Sequence, residues 1–329
     1  MKSYIIGFIV LILFLFIIVL AGNGNYNDEI NYEDVESLAI IDSPADEVIA
    51  EETNPMTEME EEEDLSIRND FSSNIIDSSI IEVPEIKNTI PSQILVRKGY
   101  ITSYNRNTKC PNWVAWHLTR EHTDGPFSRK GVPYYDDNGN VIGIGAVTTE
   151  TCRGPYLYDR EAELPSPSIR DYPHNQYGMS HGHMCPAGDN KWSKEAINQS
   201  FLMTNMCPQD QSLNQGDWRI LEEKCRKWAQ KHDDIYIVAG PLYISAESKR
   251  TIGDNKVVVP NSFFKVVLCL TGKPKAIGFI YPNNDEHHEM KYYMCTVDEV
   301  EARTNMDFFS SLSDDIEDEI EAKCNINEW

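Results

Sequence analysis

The apolar positions of this chain gather into dense runs separated by long polar stretches, and the runs follow different periods. "GYITSYNR" (Gly99 to Arg106) and "NWVAWHLT" (Asn112 to Thr119) are rich in aromatic and β-branched residues. The turn-type cluster "NTKCP" parts them, which predicts a hairpin. "DIYIVAGPLY" (Asp234 to Tyr243), "SFFKVVLCL" (Ser262 to Leu270) and "KAIGFIYP" (Lys275 to Pro282) predict buried strands, and "NVIGIGAVTTE" (Asn140 to Glu150) a shorter one. "SLNQGDWRILEEKCRKWAQK" (Ser212 to Lys231) spaces Trp218, Leu221, Cys225 and Trp228 by three and four, the stripe of one amphipathic helix. "TVDEVEARTNM" (Thr296 to Met306) opens on a Thr cap and an acidic first turn, so a short helix is expected there. No internal repeat is visible. The pattern predicts one α+β domain over residues 96–329, with a central antiparallel sheet flanked by helices.

Upstream the character is different. Lys2 precedes an almost unbroken apolar run from Tyr4 to Ala21, intermediate in length between a signal-peptide core and a short membrane helix. Residues 1–22 are therefore expected to be a signal peptide or a membrane anchor, and both place the rest of the chain outside the cytoplasm. From Gly22 to Leu95 stand 20 acidic side chains against only Arg68 and Lys87, so this segment holds 18 of the 24 net negative charges. Residues 23–95 read as an acidic disordered linker, a spacer behind a possible membrane tether. The remainder is only mildly acidic.

All eight cysteines follow Val96, an even number in a chain expected to be exported, so at least one disulfide is anticipated. The plainer alternative is that they are small buried apolar residues.

The chemistry concentrates in "GMSHGHMCPAGD" (Gly178 to Asp189), which has three readings. As G-x-S-x-G it resembles a nucleophile elbow with Ser180 as nucleophile, but that geometry needs a buried strand before the serine. "RDYPHNQYGM" supplies none. A zinc site on His181, His183, Cys185 and Cys207 lacks any paired C-x-x-C knuckle. A nuclease needs a base, a divalent metal and a cation near the phosphate. His183 supplies a base that works near neutral pH, and Asn214 offers a hard metal its amide oxygen.

"SHGHMCPAGD", then "SFLMTNMCPQ", then "LNQGDWRILEE" resemble, in order and spacing, the DNA/RNA non-specific endonucleases, the endonuclease G-like ββα-metal (His-Me finger) enzymes. "NWVAWHLT", "VAGPLY", "VPNSFFKVVL" and "TVDEVEART" resemble further blocks of that family, so the likeness runs from about Gly99 to Met306. It implies His183 as general base and Asn214 as the protein ligand of one Mg2+ (or Mn2+). It also implies Glu222 as a supporting acid near the metal waters and Arg226 as an arginine near the scissile phosphate. Asn205 would shape the site, and Arg129 would be a second phosphate-side arginine, with Arg153 a weaker rival. The implied substrates are DNA and RNA.

One departure stands out. The family usually reads Asp-Arg-Gly-His where this chain has Ser180-His181-Gly182-His183. A positive charge is thereby lost, and protonated His181 is expected to replace it in part and move the pH optimum down. The altered pair and the lack of a basic footprint leave a catalytically weak nucleic-acid-binding or scavenging module as the runner-up. A toxin nuclease neutralised by an inhibitor comes third.

Overall fold

The computed structural model describes residues 80–131, 133–135, 141–144, 156–172, 178–244 and 250–329. The segments read above as signal or anchor, and all but the end of the acidic linker, lie outside the described residues. So do Cys152 and Arg153. Ordered structure starts earlier than Val96: Glu85–Ile86 pairs antiparallel with Met306–Asp307. Ile81, Val83 and Ile86 pack on the core, apolar anchors that the surrounding acidic composition hides.

Seven strands form the central sheet. They are β1 (Gln93–Val96), β2 (Ile101–Asn105), β3 (Cys110–Thr119), then after the strand pair described next, β6 (Asp234–Leu242), β7 (Ser262–Cys269), β8 (Lys275–Pro282) and β9 (Met294–Cys295). Their order is β9-β8-β7-β6-β3-β2-β1, every neighbour antiparallel. The hairpin of β2 and β3 is as the sequence predicts, and so are the three buried strands to within a residue.

The middle strands read as continuous apolar runs because both faces are covered. Alternation along β6 sends Ile235, Ile237 and Ala239 to one cluster and Val238 to the other. On β7, Phe263 and Val267 join the first cluster, and Phe264, Val266 and Leu268 the second. The same alternation places Lys265 on the face of Phe263 and Val267.

The strand pair is β4 (Met179–His183) with β5 (Met206–Asp210), in the register Ser180 to Gln209, Gly182 to Cys207 and His183 to Met206. Between them lies α1 (Lys194–Gln199); after β5 come α2 (Gln211–Gln215) and α3 (Asp217–His232). The single helix expected over Ser212 to Lys231 is thus two. Gly216 ends α2, donating its N–H to the Leu213 carbonyl, and a Cβ there would stand 2.5 Å from the Ser212 carbonyl oxygen. The helical periodicity continues through such a break, so it is invisible to pattern alone. Trp218, Leu221, Cys225 and Trp228 form the buried stripe of α3 against the first face of the sheet. The other face is covered by α4 (Val297–Thr304), with the Thr296–Glu299 capping box, and α5 (Asp314–Glu321).

The disulfide expectation fails for the described cysteines. All seven are free thiols, and Cys110, Cys185, Cys207, Cys225 and Cys269 are buried in the first core cluster. They pack as small apolar residues, the plainer of the two readings.

Candidate active site

The site grows out of a two-strand-and-helix unit. Asp210 at the end of β5 accepts from the Ser212 and Leu213 amides at 2.8 and 3.4 Å, which starts α2. β4 lies beside β5 and carries the SHGH residues. Gly182 must be glycine because a Cβ would come within 2.6 Å of the Gln209 Cβ on the paired strand. That close pairing fixes the direction of His183, one residue on. The His183 carbonyl accepts from Trp218 Nε1 at 3.4 Å, which ties the strand end to the first turn of α3.

The His183 ring stands edge-on to Phe201, with centroids 5.1 Å apart, and 6.0 Å from Tyr156. Its Nε2 has no solvent contact and no hydrogen-bond partner. Burial first, then the charge of Arg129, holds its pKa well below the usual imidazole value. His183 is therefore neutral across the physiological range, the state a general base needs. Tyr156 is held in place because the adjacent Leu157 exchanges backbone bonds with Phe201 and Met203, each 2.8 Å.

His181 does not play the part expected of it. Its ring is stacked between Tyr156 at 3.9 Å and Tyr172 at 4.4 Å, and its Nε2 is buried without a partner. Burial, then Arg129, pushes its pKa down to about 3. It is a neutral aromatic spacer and carries no charge to a phosphate. The cation on this side is Arg129, whose Nη2 donates to the Tyr156 hydroxyl at 2.9 Å. Its guanidinium lies 5.1 Å from the Phe201 centroid and 5.7 Å from that of Tyr156.

Asn214 sits on α2 facing β4, where its Nδ2 donates to Ser180 Oγ at 2.9 Å. Ser180 Oγ in turn donates to the Gln209 carbonyl at 3.1 Å. Ser180 is thus bound into the strand pair and is no elbow nucleophile. Asn214 Oδ1 accepts no hydrogen bond among the described residues, and an amide oxygen is a donor of the kind that hard divalent cations take. The donor set thus fits a hard cation completed by water. The zinc reading fails, because the one close group of three His, Cys, Asp or Glu side chains among the described residues is elsewhere in the fold.

Glu222 and Arg226 lie one turn apart on α3, yet Arg226 is not paired to Glu222. Its Nη1 donates to Asp189 Oδ1 at 2.9 Å, and Asp189 Oδ2 accepts from Trp116 Nε1 at 3.1 Å. Asp189, the last residue of the "GMSHGHMCPAGD" stretch, thus anchors the arginine. Burial raises the Glu222 carboxyl to about 7, against the pull of Lys265 and then Arg226.

Lys265 escaped the sequence reading. It is fully buried on β7, its Nζ without a hydrogen-bond partner, 4.4 Å from the Trp218 ring centroid and 5.4 Å from that of Trp116. Two aromatic faces take the place of its water, worth up to about 2 kcal/mol in a desolvated setting. It is the strongest positive charge acting on Glu222. The signal was present: a single lysine inside the otherwise apolar "SFFKVVLCL".

Asn205, which the resemblance places at the site, is fully buried and spends its amide on the backbone. Oδ1 accepts from the Cys185 N–H at 2.9 Å, and Nδ2 donates to the Cys185 and Ser200 carbonyls, both at 2.8 Å. It fixes the turn after His183, and with its amide spent on three backbone bonds it has the geometry of a positioning residue.

The comparisons agree with this architecture. A family model described as DNA/RNA non-specific endonuclease matches residues 78–315. A mitochondrial nuclease EXOG of Danio rerio is 30% identical over 228 residues, 65% of this chain and 60% of that protein. A nuclease of Nostoc sp. is 30% identical over 250 residues, 72% of this chain and 80% of that protein. A mitochondrial endonuclease G of Bos taurus is 24% identical over 67% of this chain and 70% of that protein. The chain spans 58% and 60% of the EXOG proteins of Xenopus laevis and Danio rerio. Among solved structures, a chain of the EndoG/EndoGI complex superposes with a TM-score of 0.55 at 24% identity, covering 68% of this chain and 89% of that one.

Proposed function

Because this chain belongs to the DNA/RNA non-specific endonuclease family, we propose that it is a metal-dependent endonuclease that hydrolyses phosphodiester bonds of DNA and RNA. The observation that carries the reading is the neutral His183 on one strand of a ββα unit whose helix presents Asn214.

The lone-pair nitrogen of His183 takes a proton from the attacking water, and its neutral state makes that nitrogen available at physiological pH. Asn214 Oδ1 is the donor that would hold Mg2+ or Mn2+, and such an ion supplies charge neutralisation at the phosphate and its leaving oxygen. Arg129 and Arg226 each bring a guanidinium group toward a bound phosphate. Arg226 does so from the Asp189 anchor, and Arg129 from the Tyr156 hydroxyl. Glu222, half-buried and under the pull of Lys265, accepts protons from water near the reacting phosphate when ionised.

A second reading, a surface module that binds nucleic acid and cuts it slowly, is favoured by one observation: the position before Gly182 holds a neutral histidine. Digestion of supercoiled plasmid and of RNA by the full chain, with Mg2+, Mn2+ or EDTA, separates the two. Cleavage of both polymers that EDTA abolishes supports the endonuclease; binding without cleavage in any divalent metal contradicts it.

The apolar run Tyr4 to Ala21 supports a further part of the proposal, that residues 1–22 export or tether the domain. Protease accessibility of the domain on intact cells tests that placement, and full protection contradicts it.

A further inference from the structure

On the sheet face opposite α3, the helices α4 and α5 bring one carboxylate oxygen each of Asp298, Glu301 and Glu321 within 4.8 Å of one another. Acidic side chains often crowd on surfaces, and crowding alone identifies nothing. Here the innermost member is not on the surface. Glu321 is 4% exposed, and its Oε1 has neither solvent contact nor a hydrogen-bond partner. Glu317 Oε1, one turn earlier on α5, is sealed and unpartnered in the same way.

The charges that act most strongly on Glu321 are Glu301, Glu317, Asp298 and Asp307, all carboxylates. The nearby Lys87 is bound to Asp307 at 3.1 Å and is largely exposed. A buried carboxylate crowded by other carboxylates is unfavourable unless a proton or a cation joins it. Two features favour a cation. Glu301 is already oriented, because the Phe308 N–H donates to its Oε1 at 2.8 Å. Asp298 is exposed and gives an ion and its waters a way in.

The donor set selects the ion. Calcium takes about six to eight oxygens in flexible geometry and accepts several carboxylates at once. Magnesium demands near-ideal octahedral geometry, keeps several waters and is usually held by only one or two carboxylates. We propose that Asp298, Glu301 and Glu321 form a calcium site that clasps α5 onto α4, separate from the nuclease centre.

The test uses the full chain carrying Asn214→Ala, which disables the proposed catalytic ligand, titrated with CaCl2 by calorimetry and followed by thermal unfolding. Any calcium taken up by the acidic residues 23–79 is common to both proteins, so the comparison is with the same protein carrying Glu321→Gln as well. The expected result is one additional calcium per chain in the Asn214→Ala protein, lost on adding Glu321→Gln. The unfolding midpoint should rise by roughly 5–10 °C at a hundred times the dissociation constant. That rise should vanish with Glu321→Gln, while the EGTA-treated variant melts no lower than its parent, which shows that it folds. Equal calcium binding and equal midpoint shifts with and without Glu321→Gln overturn the site. They would leave a proton as what neutralises these carboxyls.

Discussion

Asn214 Nδ2 and Ser180 Oγ are 2.9 Å apart, so the serine that stands where the family usually has an aspartate is bonded to the proposed metal ligand. The hydroxyl orients the amide by accepting from its nitrogen, which leaves the amide oxygen to the ion. Groups that orient metal ligands typically change affinity by about 10–100-fold when removed. Ser180→Ala is expected to raise the Mg2+ concentration for half-maximal cleavage by about tenfold, with the rate at saturating metal little changed. A metal titration of plasmid cleavage checks this, and an unchanged midpoint would show that Ser180 does not orient Asn214.

His181 links pH to stability rather than to catalysis. Its pKa falls to about 3 in the fold against about 6.5 in an unfolded chain. A depressed base stabilises the fold above the unfolded value, and that stability is lost as pH falls from about 6.5 toward 3. His183 adds a loss of the same sign. The unfolding midpoint should therefore drop across this window, and His181→Phe, which keeps the stack with Tyr156 and Tyr172, should flatten part of the drop. The pH–rate profile of that variant should keep the parent's acid limb.

Glu222 has the opposite sign. Its carboxyl is raised to about 7, so its protonation favours the fold, and that contribution is lost as pH rises from about 4.5 through 7. Lys265 opposes the shift from its aromatic cage. Lys265→Met is expected to push the Glu222 carboxyl higher and move the acid limb of kcat/KM toward alkaline pH by about half a unit to one unit. Adding Glu222→Gln should remove that displacement. Glu222→Gln alone should raise stability above pH 8 by about 1–2 kcal/mol while lowering the rate. Thermal melts and pH–rate profiles of the three variants check the set.

Asn205→Ala removes three buried hydrogen bonds to the chain at Cys185 and Ser200. Leaving those backbone groups unpaired should cost about 2–4 kcal/mol, and the loosened turn after His183 should lower kcat more than it raises KM. Denaturant unfolding and steady-state kinetics measure the two effects. A fall in kcat with no loss of stability would place Asn205 in contact with substrate instead.

Much of the fold was legible because its strands and the stripe of α3 obey clear periods. Trp218, Leu221, Cys225 and Trp228 all face the core as spaced. The break at Gly216 was not legible, because two helices in one line preserve the same stripe. The apolar anchors Ile81, Val83 and Ile86 were masked by the charge around them. Within the candidate site, the family blocks single out His183 and Asn214, but their environment was not legible. Which ring stacks on His181 depends on Tyr156 and Tyr172, one loop or more away in sequence. Arg226 reads as a partner for Glu222 on the helix, yet it bonds Asp189, 37 positions earlier. Lys265 was visible as a charge within an apolar strand. Its proximity to Glu222 follows only from the packing of β7 under α3.

The central claim is that neutral His183 is the base that activates water. The most direct test is single-turnover cleavage of a labelled duplex by the full chain and by His183→Ala at saturating Mg2+, with duplex binding measured in Ca2+ on the same proteins. The account predicts a rate loss of about 10²–10⁴-fold with duplex affinity within a few-fold of the parent. A variant that cleaves at the parental rate, or one whose lost cleavage is matched by lost binding, would contradict it.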